Sequence, residues 1–505
     1  MIQMMRKTWN FGMVAATALA LLGCLAFAFC LRGTVANAAT PPKRVLAASP
    51  SLYPSFNWKQ RDYVVRCKAG KRNPRLRLNL PGAWKARVGA TPFKGGQFAT
   101  RINNGPGAGT PVAIRRPGVG IAGFRVRCLP RDFPRFRFKR YRAGGPRLTF
   151  AQVGGNYAVF FDRAGTPVWW MKNGIPPLHP QVLKDGTISW LVRERGTKGR
   201  AGGTNGRFGW GIRRLNGKLV RYVSGARNVL TDAHELMLLA NGNYLVNTFP
   251  RDRGLNLKPF GGPARAVGRG NEIQEITPRG RLVWKWNTGD HVELAETGRW
   301  WKRILKRRQP FDYLHFNSAE PVGDSMVMSF RHLDAVYKID RSTGKILWKL
   351  GGTPTDERLE VLNDPHGAFP FGGQHDARVD EPGVVSVFDN ATDLKRPPRV
   401  VRYRIDEEAG TATLISSFRD RQVPLSSCCG SARQLPDGEW LVNWGGLGNI
   451  RRSGIYNLVG AYSPEGRPIF RLWTYGKHMY RAQPVTGKFP SIKRLRMAMD
   501  SRRPR

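Results

Sequence analysis

Three histidines stand at matching points of a repeating pattern: His234 in TDAHELMLL, His315 in DYLHFNSAEP and His375 in GGQHDARVD. Arg331 closes DSMVMSFRH, one strand after His315. Neutral imidazole serves as nucleophile or base, imidazolium as donor, and guanidinium grips an oxyanion with a two-pronged fork. Brought together, these groups suit a tetrahedral oxyanion such as sulfate or phosphate. Zinc is the rival ligand for three histidines. Arg331 disfavours a cation there, and no HExxH spacing occurs. Neither a metal nor a cofactor is expected. His332 and His366 flank the set and read as ligands or loop residues, whereas His179, His291 and His478 fall outside the repeat phase and read as structural.

The repeat that must position these side chains begins near residue 147. Its unit is an extended run, a Gly-containing turn and a strand often ending in Trp. FFDRAGTPVWWM, IRRLNGKLVRYV, IQEITPRGRLVWKW, VYKIDRSTGKILWKL, YRIDEEAGTATLISSF and AYSPEGRPIFRLW are its copies, at intervals of about 51 to 67 residues. Between them lie further strand-turn-strand signals, QVLKDGTISWLV, HELMLLANGNYLVNTF and RQLPDGEWLVNWGG, with Asp-Gly and Asn-Gly as hairpin turns. Four strands per unit and six units describe an all-β, six-bladed β-propeller over residues 147–485. Each candidate histidine begins the strand that leads a blade. Leading strands line the propeller axis, so the three rings converge there. Trp284, Trp286 and Trp348 read as blade core rather than a binding cage. One helix signal stands out, RWWKRILKRR at 299–308, and the basic stretch 486–505 reads as a surface tail.

The chain of 505 residues carries 83 Lys and Arg against 35 Asp and Glu, a net charge of +48 that invites a nucleic-acid reading. The excess is concentrated elsewhere than in the propeller. Residues 43–148 hold 25 basic and two acidic side chains, whereas the much longer 149–505 holds 55 and 33. Short alternating segments across 45–145, such as DYVVRC, LRLNL and GFRVRC, describe a small β-sandwich. Its alternate arginines, Arg125 and Arg127 among them, read as a solvated face. The first forty residues place a basic pair, Arg6 and Lys7, before an apolar run from Phe11 to Leu31, with Ala36-Asn37-Ala38 spaced like a signal-peptidase site. A cleaved signal, an uncleaved anchor and a lipoprotein signal all put the bulk of the chain outside the cytoplasm, which speaks against nucleic acid. In an oxidising compartment Cys67 and Cys128, in the similar contexts YVVRC and FRVRC, are expected to pair. Cys428 and Cys429 read either as a vicinal disulfide or as two thiols.

At these residues the chain resembles the arylsulfotransferase (ASST) family. The resemblance runs over roughly 150–475 and is densest from Phe311 to Gly352, with GGQHDARVDEPGVVSVFDNAT beyond it. It implies a six-bladed propeller preceded by a β domain, and an exported enzyme that moves sulfuryl groups from phenolic sulfate esters to phenols. Transfer is then ping-pong, through a sulfated histidine and without a nucleotide sulfate donor. Residue by residue, His375 matches the nucleophile, and His234, His315 and Arg331 match the sulfate-stabilising set. Asn317 and Asn390 are expected to contact substrate, and Asp376 is a neighbour that could orient His375. The partners so implied are aryl sulfates and phenols. The charge of the N-terminal module supports another reading, a non-catalytic envelope protein that holds anionic cell-envelope polymers. IDRSTGKILW also resembles the repeat of quinoprotein dehydrogenases, but those need eight blades.

Overall fold

The structure is a computed structural model that describes residues 45–502 apart from 68–73, 103–104, 106, 108, 194–207, 368, 448–454 and 478. The expected signal or anchor and His478 therefore lie outside the described residues.

Among the described residues, six sheets of four or five mainly antiparallel strands follow one another along the chain from Leu148. Their leading strands are Leu148–Val153, Gln181–Val182, Leu230–Leu238, Phe316–Val322, His375–Glu381 and Ser431–Gln434. Their outer strands are Pro167–Lys172, Leu219–Val223, Leu282–Asn287, Ile346–Gly351, Thr411–Phe418 and Pro468–Tyr475, the ends of the sequence repeats, four of which carry Trp. The hairpin glycines Gly186, Gly242 and Gly438 sit at φ near +80°, the conformation the Asp-Gly and Asn-Gly pairs anticipate. The propeller closes twice. Ala482–Val485 pairs with Leu148–Val153 inside the first blade, so a strand from the end of the chain completes the first sheet. Phe136–Arg140, which the sequence puts at the end of the sandwich, pairs instead with Pro468–Tyr475 as the outer edge of the last blade.

Tryptophan recurs because it joins blades as well as filling them. Trp169 donates from its indole N–H to the carbonyl of Leu215 at 2.9 Å, and Trp284 and Trp286 donate to Arg341 and Gly344 at 2.8 and 2.9 Å. Each bond runs from an outer strand to the turn of another blade. Trp190, Trp210, Trp440 and Trp444 are fully buried. No tryptophan cage forms among these residues, and the expectation of core packing holds.

The N-terminal module is a three-stranded sheet packed with a five-stranded one. In Arg75–Asn79 the leucines are buried and the arginines exposed, as alternation requires. Cys67 and Cys128 are disulfide-bonded, with Cα atoms 5.5 Å apart and 61 residues between them in sequence. Replacing both by Ala is expected to cost about 2–4 kcal/mol, measured by denaturant unfolding of the domain signal.

Three expectations fail. The tail contains a helix, Ile492–Asp500, capped by Ser491 and burying Leu495, Ala498 and Met499. Its apolar residues recur at helical spacing, but basic residues dominate the segment and mask the pattern. Arg127 donates to Asp500 at 2.8 Å, Arg125 pairs with the same carboxylate, and Arg496 donates to Asp62 at 2.7 Å. Arg125 and Arg127 therefore clamp the C-terminal helix rather than forming a solvated face. At 299–308 only Trp301–Ile304 is α-helical. Trp301 and Ile304 supply one turn of buried surface, and the run of Lys306, Arg307 and Arg308 offers nothing to bury.

Candidate active site

The blade geometry gathers the histidines as the repeat phase anticipates. His375 opens its strand, His315 immediately precedes Phe316–Val322, and His234 lies within Leu230–Leu238. His234 and His315 rings are 5.2 Å apart between centroids. Tyr480 bridges the group, its ring 5.2 Å from that of His234 and 6.2 Å from that of His375.

What separates the three histidines is the partner of each Nδ1. In His234 it lies 2.6 Å from Asp232 Oδ1, and in His315 2.5 Å from Asp312 Oδ2. In His375 it lies 2.7 Å from Asn390 Oδ1 and 3.1 Å from the carbonyl of Gly373. Both of those atoms only accept, so Nδ1 of His375 carries the proton and Nε2 keeps its lone pair. The backbone N–H of Cys429 points at that Nε2, 3.2 Å away. Burial, then the Arg331 charge, holds His375 well below the ordinary imidazole value, so the ring is neutral. Burial also lowers His315, but Asp312 opposes it. Asp312, which burial alone would raise, is pulled well down by His315. A carboxylate behind an imidazole favours the protonated ring, and an amide does not. The site thus holds one neutral imidazole, whose Nε2 lone pair accepts from the Cys429 N–H, and two imidazoles backed by carboxylates.

Arg331 is buried over the face of Trp300, its guanidinium carbon 4.4 Å from the ring centroid. It donates to His332 Nε2 at 2.6 Å and to the carbonyl of Ser427 at 3.1 Å, and its Nε has no partner. His332 donates in turn from Nδ1 to the carbonyl of Asp312 at 2.6 Å. His332 is thus a link between Arg331 and the Asp312–His315 pair. Asp312, His315 and His332 place ligand atoms within 4.8 Å of one another, a grouping able to hold a metal. Both nitrogens of His332 are engaged, one by a cation, which fits a metal poorly.

Several sequence expectations change here. Asn390 and Asn317 position backbone and ring rather than offering free groups to substrate. Asn390 spends its oxygen on His375 and its amide N–H groups on Ser426 Oγ and the carbonyl of Cys429, at 2.7 and 2.9 Å. Asn317 is fully buried and staples the carbonyl of Gln374 and the N–H of Asp376, on either side of His375. Asp376 does not orient His375. Its carboxylate turns to Arg433 and Arg378, 2.7 and 2.9 Å away. His179 is buried and pushed down to about 3 by burial and Arg481, and donates to the carbonyl of His234 at 3.0 Å. His291 stacks on Trp286. Cys428 and Cys429 form the turn over His375, their sulfurs 2.7 Å apart.

Asp232, Asp312 and Tyr480 have no part in the expectations drawn from sequence, and His332 figures there only as a ligand or loop residue. A signal existed for the first two: an aspartate stands two residues before His234 and three before His315, and the stretch before His375 has none. Tyr480 lies beyond the last repeat, in a segment with no pattern of its own. Its hydroxyl is buried with no hydrogen-bond partner.

A propeller with a histidine–arginine centre on its axis defines the class of fold and site. Residues 139–465 match the arylsulfotransferase (ASST) family, and the chain belongs to it. No curated protein matches the chain significantly. Among solved structures it is similar to a protein of unknown function from Bacteroides caccae, at 11% identity and a TM-score of 0.42, over 68% of this chain and 100% of that one. It is also similar to a quinoprotein alcohol dehydrogenase-like protein from Bacteroides thetaiotaomicron, at 11% identity and a TM-score of 0.31, over 85% and 98% of the two chains. Family membership supports sulfotransferase activity on aryl compounds.

Proposed function

We propose that the chain is an exported aryl-sulfate sulfotransferase working by ping-pong through His375. One observation carries the assignment of roles: of three histidines at one axis, only His375 has an amide in place of a carboxylate behind Nδ1. Its Nε2 lone pair attacks sulfur, and the sulfur–aryl oxygen bond breaks with its electrons on the phenolic oxygen. His315 or His234, each backed by an aspartate, gives that oxygen a proton. The sulfuryl group stays on Nε2, with the Nδ1 proton held by Asn390. An acceptor phenol then returns its proton to the same base, attacks sulfur and frees His375. Negative charge on the three sulfuryl oxygens is met by Arg331 and the ring N–H groups of His234 and His315. Splitting transfer into two displacements needs no nucleotide donor.

Export is supported by the apolar leader and by the Cys67–Cys128 disulfide. A cell-envelope polymer bound by the basic module is the remaining part of this reading. Residues of the sandwich line a cavity of ≈290 Å³ that includes Arg61, Arg87 and Arg125.

Initial rates with 4-nitrophenyl sulfate and phenol are expected to give parallel double-reciprocal lines. Intersecting lines would rule out a covalent intermediate. Arg331→Gln is expected to lower kcat/KM by about 10²–10³-fold, a loss on the scale of one oxyanion-stabilising donor. The assay uses a common donor at fixed phenol, with circular dichroism to verify the fold.

A further inference from the structure

Apart from Trp300, which lies under the Arg331 guanidinium, the basic motif RWWKRILKRR plays no part in the chemistry above. Trp301 and Ile304 anchor it by burial, which leaves Arg303, Arg307 and Arg308 exposed. These three arginines and Arg269 line a cavity of ≈330 Å³, and its remaining wall includes Asp312 and His332. The cavity therefore adjoins the site through the carboxylate behind His315 and the ring that holds Arg331.

Its charge is one-sided. No acidic residue occurs from Gly298 to Phe311. Asp393 pairs with Arg303 at 2.7 Å, and Asp312 is engaged by His315. Four arginines thus face two carboxylates, both already partnered. Positive charge gathered in a cleft concentrates anions there and selects among them. The single charge of a sulfate ester is already met by His234, His315 and Arg331. A second cationic wall beside that pocket matches a second anion on the same molecule.

We propose that this cavity is a subsite for a second anionic group, a carboxylate, sulfate or phosphate, on the aromatic ring of the donor. The preferred donors are then aryl sulfates bearing two anionic groups. This inference rests on the sulfuryl-transfer reading, and its test separates the two.

Two donors of nearly the same shape decide it: 4-carboxyphenyl sulfate, with two charges, and 4-carbamoylphenyl sulfate, with one. At low salt the wild type is expected to show a KM about tenfold lower for the carboxylate. The double variant Arg307→Gln/Arg308→Gln brings the ratio of the two KM values close to one, and 1 M salt does the same to the wild type by screening (a Debye length of about 3 Å). Equal KM values in the wild type, or a ratio the double variant leaves untouched, would overturn the subsite. Should neither ester be turned over, the same pair is titrated calorimetrically into His375→Ala protein with and without the two Gln substitutions. Tighter binding of the carboxylate, lost on substitution, supports the subsite although transfer has failed. Equal binding, or none, overturns it.

Discussion

His375→Ala leaves a folded protein that transfers no sulfuryl group. The expected loss in kcat is about 10⁴-fold or more, because the covalent step disappears while sulfate binding persists. The substitution also strands two buried partners, Asn390 Oδ1 and the Cys429 N–H. Unsatisfied buried groups cost about 1–3 kcal/mol each. Stability and activity must therefore be read on the same sample: thermal unfolding shows whether the propeller survives, and a pre-steady-state experiment reports the chemistry. Without acceptor, the wild type releases a burst of nitrophenolate close to one per site. The variant shows none. A variant that is folded and still gives the burst would move the nucleophile elsewhere.

Asn390→Asp moves the pH dependence. In the wild type, burial and Arg331 hold His375 well below 6.5, so its ring is unprotonated through neutral pH. Protonation is what inactivates it, so the acid limb of kcat/KM falls below 6.5. A carboxylate in place of the amide, 2.7 Å from Nδ1, favours imidazolium and moves that limb upward by about 1–3 units. Activity at pH 6 drops steeply and recovers toward pH 9. An acid limb that stays in place would mean that Asn390 does not set the protonation state of His375. The same depression bears on stability. Because the folded value lies below the unfolded one, the chain loses stability as pH falls from about 6.5 toward the depressed value, where the unfolded ring takes up a proton that the buried ring refuses.

Much of this arrangement follows from periodicity. The Trp-ended repeats mark outer strands, so the leading strands, and the histidines on them, fall on the axis by phase alone. The Asp-Gly and Asn-Gly hairpins fix where each blade turns. Closure is not legible in the same way. Ala482–Val485 and Phe136–Arg140 each pair with a strand more than three hundred residues away, and no local pattern records such pairing. The C-terminal helix escapes notice because its buried residues are few among many arginines, which are themselves used to clamp it through Asp62 and Asp500. In the site, types and phase locate His234, His315, His375 and Arg331. The division of labour among the histidines depends on side chains at different offsets. Asp232 and Asp312 precede their histidines by two and three residues, but Asn390 reaches His375 from 15 residues on, across a hairpin. The asparagines were expected to hold substrate. They hold His375 and the backbone beside it instead, because a buried ring needs a fixed tautomer before it needs a ligand.

The most direct test of the account is peptide mass spectrometry of protein incubated with an aryl sulfate in the absence of acceptor. The account predicts an added SO₃ on the peptide containing His375, removed by phenol and absent from His375→Ala. Turnover of the ester with that peptide unmodified at every time point, or an adduct on His234 or His315 in its place, would contradict it.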